Sequence, residues 1–261
     1  MTSRILVIAG SDSGGGAGVQ ADIKTCAAFG AYAATAITAV TVQDTRGVQA
    51  VHPVPPDVIE AQARAVLDDI GADAVKIGMI GGVAAGEAVL SALDGFGGPI
   101  VLDPVLVATS GDTLAEAGVT DLIRDRLLPR AAVVTPNLEE LLQLAGQEVR
   151  GADDAERAAR TLLARGAGAV LAKGGHGAGD ELVDLLVAND ACRRFEHPRL
   201  DTPHTHGTGC TLSTALAVGL ASGRSLAGAA GEGVAYVQAA IRHAPGFGGF
   251  ERTCCEGITP A

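Results

Sequence analysis

Thr205-His-Gly-Thr-Gly-Cys-Thr-Leu-Ser213 holds the residue types best suited to chemistry in this chain. Gly207 and Gly209, separated by one threonine, let the backbone turn tightly and point successive N–H groups outward. The turn opens the charge-free run Thr208 to Gly223, which predicts a helix. Amides at a helix N-terminus, with the helix dipole behind them, form an anion site. Gly207, Thr208, Gly209 and Cys210 are therefore candidates to hold a phosphoryl group. Cys210 falls in the first turn, where a thiol pKa is lowered, so the same turn could supply a base. A glycine turn leading into a buried helix, with Cys210 as a small core residue, accounts for this stretch alone equally well.

Other polar residues stand where chemistry could use them. Asp103 follows an apolar run and precedes Pro104; it could hold Mg²⁺ through water, or simply form an Asp-Pro turn. Asn137 and Glu140 lie three apart and so face one side of a first helical turn. They could face a nucleotide or metal-bound water, or act as a cap and a dipole-favoured acid. Lys173-Gly174-Gly175 offers a cation and a close-approach backbone suited to phosphates, or a strand exit. Lys76 sits inside an apolar strand; lysine is rarely buried unpaired, which predicts a phosphate or carboxylate partner. His176, His204 and His206 lack the cysteine or carboxylate spacing of a metal site and read as loop residues. The Gly14-Gly-Gly-Ala-Gly18 loop fits neither G-x-G-x-x-G nor G-x-x-x-x-G-K-[ST]. Phosphates are accordingly expected at the C-terminal glycine turn.

Positioning these residues requires a particular order of elements. Short apolar runs predict strands at Ile5–Ala9, Ala33–Val42, Ala74–Gly78, Pro99–Leu102, Ala131–Val134 and Ala169–Ala172. Helices are expected over Val19–Phe29, Asp57–Ile70, Val83–Leu93, from the Thr109–Thr113 loop to about Leu128, from Thr135-Pro-Asn137 onward, Asp153–Arg165, Thr208–Ala221 and Leu226–His243. Leu182–Val187 and Cys192–Phe195 read as a hairpin around Asn189-Asp190. Alternating strands and helices predict an α/β fold, one three-layer α/β/α domain over residues 1–261 with a mostly parallel central sheet. Ligands then bind beyond the carboxyl ends of the strands. Asp12, Gln43, Lys76, Asp103, Asn137, Glu140 and Lys173 all fall there.

The 261 residues are 48% hydrophobic and 19% charged, with a net charge of −11. That balance argues against nucleic acid or an anionic membrane surface as partner. Cys26–Gln43 and Thr208–Gly223 carry no charge, but Ala, Thr, Ser and Gly dilute both, so neither is expected to span a membrane. Five cysteines, an odd number with no C-x-x-C pair, argue against a disulfide framework or zinc cluster. Reduced thiols in the cytoplasm are the simplest account.

The motifs together resemble the hydroxymethylpyrimidine/phosphomethylpyrimidine kinases of thiamine biosynthesis, within the ribokinase-like superfamily. The resemblance rests on Gly10-Ser-Asp-Ser-Gly-Gly-Gly-Ala-Gly-Val-Gln-Ala-Asp-Ile-Lys-Thr25, Lys76-Ile-Gly-Met79, Leu102-Asp-Pro-Val105, Ser110-Gly-Asp112, Thr135-Pro-Asn137, Lys173-Gly-Gly-His176 and Thr205 to Ser213. It implies ATP- and Mg²⁺-dependent phosphorylation of 4-amino-5-hydroxymethyl-2-methylpyrimidine and then of its monophosphate. By that similarity Asp22 and Gln43 hydrogen-bond the aminopyrimidine, and Met79 and Val42 pack on its ring. Gly207 to Cys210 form the anion hole, with Cys210 as the base. Lys76, Asn137, Lys173 and Gly174 lie near phosphates or nucleotide, and Asp103 and Glu140 near Mg²⁺. A homodimer is implied too. Asp44 stands where the family pattern leads one to expect asparagine, and the tail with Gly246-Phe-Gly-Gly249 and Cys254-Cys255 matches no motif.

Other functions are weighed against this. A pyridoxal kinase shares the fold, the anion hole and often the cysteine, but Asp22 with Gln43 favours a donor–acceptor ring edge such as an aminopyrimidine's. A nucleotide-binding regulator without catalysis is disfavoured by the complete set of polar residues. A P-loop or dinucleotide enzyme is disfavoured by its missing fingerprints.

Overall fold

The computed structural model describes residues 1–106, 116–174, 180–189 and 191–247. The expected Ser110-Gly-Asp112 loop, His176, Gly175 and Cys254-Cys255 lie outside them. The first half of the chain lays down β1 (Arg4–Asp12), α1 (Gly18–Ala28), β2 (Tyr32–Asp44), β3 (Gly47–Pro53), α2 (Pro56–Asp69), β4 (Ala74–Ile77), α3 (Val83–Ala92) and β5 (Ile100–Leu102). The second half adds α4 (Val119–Leu122), β6 (Val133–Val134), α5 (Leu138–Ala145), α6 (Ala152–Ala164), β7 (Val170–Ala172), β8 (Glu181–Ala188), β9 (Ala191–Pro198), α7 (Thr208–Ala221) and α8 (Leu226–Arg242).

Among the described residues one nine-stranded sheet runs in the order β3-β2-β1-β4-β5-β6-β7-β8-β9. β2, β1, β4, β5, β6 and β7 are mutually parallel. β3 at one edge and β8 with β9 at the other are antiparallel. The α/β/α layering and the β8–β9 hairpin agree with the sequence reading. β3 was not expected: most of Gly47–Pro53 is exposed or half-buried, and such an edge strand shows little apolar alternation.

Alternation along β1 builds the two halves of the core. Leu6 and Ile8 join Val75, Ile77, Ile59 of α2, Val89 of α3 and Leu162 of α6 on one face. Ile5 and Val7 join Val101, Val133, Cys26 of α1 and Leu216 of α7 on the other. Each fully buried Ile or Leu contributes roughly 1.5–3 kcal/mol relative to exposure. Both faces of the parallel strands are covered, so their termini are the places left for polar function. Residues 10–12, 43, 79, 103, 137 and 173 all fall at or just beyond the carboxyl ends of neighbouring strands.

Candidate active site

Two glycine turns meet over that edge. α7 begins at Gly207, whose φ of 80° is left-handed, and no side chain caps its first amides. The second turn follows β1, where Asp12 gathers the chain around itself. Asp12 Oδ1 accepts from Gly14 N–H at 2.8 Å, and Oδ2 from Gly16 at 3.1 Å and Ala17 at 2.8 Å. The turns touch so closely that glycine is required. A Cβ on Gly207 would stand 1.8 Å from the Gly16 carbonyl oxygen. One on Gly18, with φ of 57°, would stand 2.3 Å from the Gly10 oxygen.

Beside them opens a cavity of about 590 Å³. Gly207, Thr208, Gly209 and Cys210 all line it, so the glycine turn opens onto the cavity. Gln43 and Met79 line it too. So do Asp103, Asn137, Glu140 and Lys173.

Those four are bonded to each other. Lys173 Nζ donates to Asp103 Oδ1 at 3.0 Å and lies 4.0 Å from Glu140 Oε2. It also lies 3.1 Å from where a Gly209 Cβ would be, so the ammonium sits directly under the anion turn. Thr135 Oγ1 donates to Asp103 Oδ1 at 3.0 Å. Burial alone would raise the Asp103 pKa, but Lys173 and then Lys76 hold it below the usual carboxylate range. Burial would lower that of Lys173, but Asp103 and Glu140 hold it protonated. Glu140 goes the other way: burial, with Asp103 adding repulsion against the pull of Lys173, pushes it up to about 7. Asn137 and Glu140 form a capping box, with reciprocal bonds of 2.8 Å. They are thus a structural cap and cavity wall at once.

Four sequence expectations are corrected. Asp22 does not line the cavity; it is fully buried, its oxygens taken by Lys76 Nζ at 2.8 and 3.0 Å and by Thr214 Oγ1 at 2.7 Å. Lys76 is equally buried and does not line the cavity; it has the carboxylate partner its sequence context allowed, and the expected phosphate or nucleotide contact is what the structure corrects. Val42 is 44% exposed and points away from the cavity, because successive residues of β2 alternate and Gln43 faces in. Gly174 spends its N–H on Asp184 Oδ1 at 2.7 Å, and a Cβ there would stand 2.0 Å from the Val183 oxygen. It is packed against β8 and is not among the residues lining this cavity.

The Cys210 thiol also departs from expectation. Its pKa is pushed up to about 11, chiefly by burial, with Asp22 and Asp103 opposing the thiolate. Lys76 and an amide contact with Gly18 pull the other way and do not compensate. The dipole argument from sequence omitted these carboxylates, which only the fold brings near.

Sequence reasoning missed two groups. His206, read there as a loop residue, lines the cavity and reaches Asp12 Oδ2 at 2.9 Å. Asp184, His197 and Gln238 line it as well, with His197 Nε2 3.1 Å from Asp184 and Nδ1 3.0 Å from Gln238. They come from β8, β9 and α8, and no sequence spacing links them.

Similarity to known proteins agrees with this geometry. The family model described as phosphomethylpyrimidine kinase matches residues 12–254. A Streptomyces coelicolor protein named hydroxymethylpyrimidine/phosphomethylpyrimidine kinase is 47% identical over 91% of this chain and 88% of its own length. A solved phosphomethylpyrimidine kinase from Clostridium difficile superposes with a TM-score of 0.82 at 36% identity, covering 92% of this chain and all of that one. The pyridoxal kinase of Staphylococcus aureus, solved with AMP-PCP and pyridoxal, superposes with a TM-score of 0.90 at 32% identity, over 97% of this chain and 93% of that one. With a matched family model spanning nearly its whole length, this chain belongs to the phosphomethylpyrimidine kinase family.

Proposed function

We propose that this chain uses ATP to phosphorylate 4-amino-5-hydroxymethyl-2-methylpyrimidine and then its monophosphate, giving the diphosphate for thiamine biosynthesis. One observation carries the reading: one cavity is lined by an uncapped glycine turn with a thiol in its first helical turn, by Gln43 of β2 and Met79, and by Asp103, Glu140 and Lys173, and β2 and β7 stand apart in the sheet order. Phosphoryl transfer requires an acceptor and a donor on either side of the moving group.

The amides of the turn and Lys173 offset charge developing on the transferring phosphoryl. The substrate hydroxymethyl oxygen forms the new P–O bond, and ADP leaves with the electron pair of the old one. The hydroxyl proton goes to Cys210 Sγ when that sulfur is a thiolate. In the second step the acceptor is already a phosphate oxygen, so no such proton need be removed. Holding both reactants across one turn supplies most of the remaining rate by orientation.

Mg²⁺ fits as an ion carried in with the nucleotide. Among the described residues no three His, Cys, Asp or Glu side chains form a metal cage. Asp103 and Glu140 would hold it through water, which suits its reluctance to dehydrate. Bound there, it would neutralise phosphate charge. Burial, with the charge of Asp103 adding, is what keeps Glu140 near 7, and a cation would favour its ionised form.

Two wider readings belong to the proposal. The cytoplasm suits an acidic chain in which the described Cys26, Cys192 and Cys210 are free thiols; among the described residues no helix is long and apolar enough to cross a membrane. A homodimer is supported by Val40 and Val42, 46% and 44% exposed on one face of β2. Light scattering at micromolar concentration tests the dimer.

The pyridoxal kinase likeness favours a second substrate. Coupled ADP release with the pyrimidine alcohol, its monophosphate and pyridoxal in parallel decides among them. Turnover of pyridoxal alone overturns the proposed substrate; turnover of none of the three overturns the activity.

A further inference from the structure

His206 stands at a junction that the mechanism above does not use. Its side chain is 13% exposed, and its Nε2 lies 2.9 Å from Asp12 Oδ2 and 3.4 Å from Gln43 Nε2. Its ring lies on Gly16, where a Cβ would come within 2.6 Å of Cδ2. Asp12 ends β1, Gln43 lies at the end of β2, and His206 in the turn before α7. One imidazole therefore joins the acceptor end of the cavity to the anion turn.

The polar groups around Gln43 favour one assignment. Burial would raise the Asp12 pKa, but His206 and the amides of Ala17 and Gly14 bring it below the usual value. An ionised Asp12 only accepts, so His206 Nε2 must carry the proton between them. Gln43 cannot then donate to the same nitrogen. On its other side, Thr41 Oγ1 is 3.1 Å from the Gln43 amide and 3.0 Å from the Ser11 carbonyl oxygen. That carbonyl accepts only, so it takes the Thr41 proton and leaves the hydroxyl oxygen to accept. The two ends of an amide have the same shape, and their orientation follows from such neighbours. With the Gln43 oxygen facing His206 it shares the Nε2 proton with Asp12 Oδ2, and its nitrogen donates to Thr41 Oγ1, so no two donors face each other.

We infer that His206, held by Asp12, is a positioning residue that orients the Gln43 amide so that its second N–H is left for a ring-nitrogen acceptor on the substrate. This rests on the proposed pyrimidine activity, and it adds why one end of the cavity selects an acceptor-bearing heteroaromatic ring. It also explains the Gly14–Gly18 loop, whose wrapping around Asp12 presents that carboxylate to the imidazole.

The test uses the full chain and steady-state kinetics with each substrate varied. The wild-type protein must first turn over the pyrimidine alcohol with ATP; if it does not, the proposed function fails and this inference with it. Given turnover, His206→Ala should raise KM for the alcohol at least about tenfold and leave KM for ATP within about twofold. His206→Gln, whose side-chain N–H can stand where Nε2–H stood, should recover most of that loss. Gln43→Glu keeps the shape but removes the donor, and should raise KM for the alcohol at least as much as His206→Ala. Circular dichroism melting accompanies each variant, and His206→Gln with Gln43→Glu suffice if the alanine variant does not fold. The inference is overturned if KM for ATP rises in parallel, if folded His206→Gln is as impaired as His206→Ala, or if Gln43→Glu binds the alcohol as wild type does.

Discussion

Lys76 Nζ and Asp22 Oδ2 meet at 2.8 Å beneath the anion turn, and neither side chain has any exposed surface. Burial favours a neutral lysine, but Asp22, with Cys210 and Asp103 adding, holds it protonated. The pair ties β4 to α1, and Thr214 ties α7 to the same carboxylate. It therefore sets the distance between the sheet and the helix that starts at the site.

Breaking that pair on one side is the costly change. Lys76→Met leaves Asp22 buried without its counter-charge, and should destabilise the fold by about 3–5 kcal/mol. Asp22→Leu combined with Lys76→Met removes both charges and should recover more than half of the loss. Urea unfolding of the two variants reads this directly; equal losses in both would sink the account.

Cys210 predicts a difference between the two phosphorylations. Cys210→Ala should slow the first step about 10- to 100-fold, at the low end of general-base effects because little thiolate exists near neutrality. The second step should change by less than about threefold. In the wild type the first-step rate should climb between pH 7 and 10, approaching tenfold per pH unit, since the thiol titrates at about 11. Single-turnover rates for each acceptor measure this; equal losses in both steps contradict it.

Glu140 predicts a pH-dependent stability. Its folded pKa, about 7, lies above its ordinary 4.5, so the fold favours the protonated form. That preference is fully present below pH 4.5 and is lost as pH rises through 7. The displacement corresponds to on the order of 3 kcal/mol. Glu140→Gln keeps the capping box and removes the charge. It should melt higher than wild type at pH 8 without magnesium, show little difference at pH 4.5, and lose activity at both. A constant difference in melting temperature across that range would refute the assignment.

Gly207 predicts a purely steric failure. Alanine there would need a left-handed φ of 80° and a Cβ 1.8 Å from the Gly16 oxygen. Gly207→Ala should lose at least about 1 kcal/mol of stability and, because the two turns are forced apart, at least tenfold in kcat. Gly223→Ala serves as the control. It has a similar φ of 78° but no atom within 4 Å of its Cβ, so it should lose stability alone. An active, stable Gly207→Ala protein would show that the turns need not touch.

The sequence by itself determined the layered α/β plan, because buried parallel strands leave short apolar runs and their helices leave a 3.6-residue period. It also determined the glycine turn at the start of α7. Gly207 and Gly209 before an uncharged helix are local features, and the N-terminal amides of that helix follow from geometry within one segment. What required residues from distant segments was decided by the tertiary structure. Lys76 found its partner 54 residues away in Asp22, which turned two expected ligand contacts into a buried strut. Cys210 was drawn among Asp22 and Asp103, so burial and repulsion outweigh the helix dipole that the sequence shows. His206 became a site residue only because α7 packs beside β1 and brings it within 2.9 Å of Asp12. Backbone-driven features are written over a few neighbouring residues, whereas charge and desolvation depend on every element the fold assembles around a group.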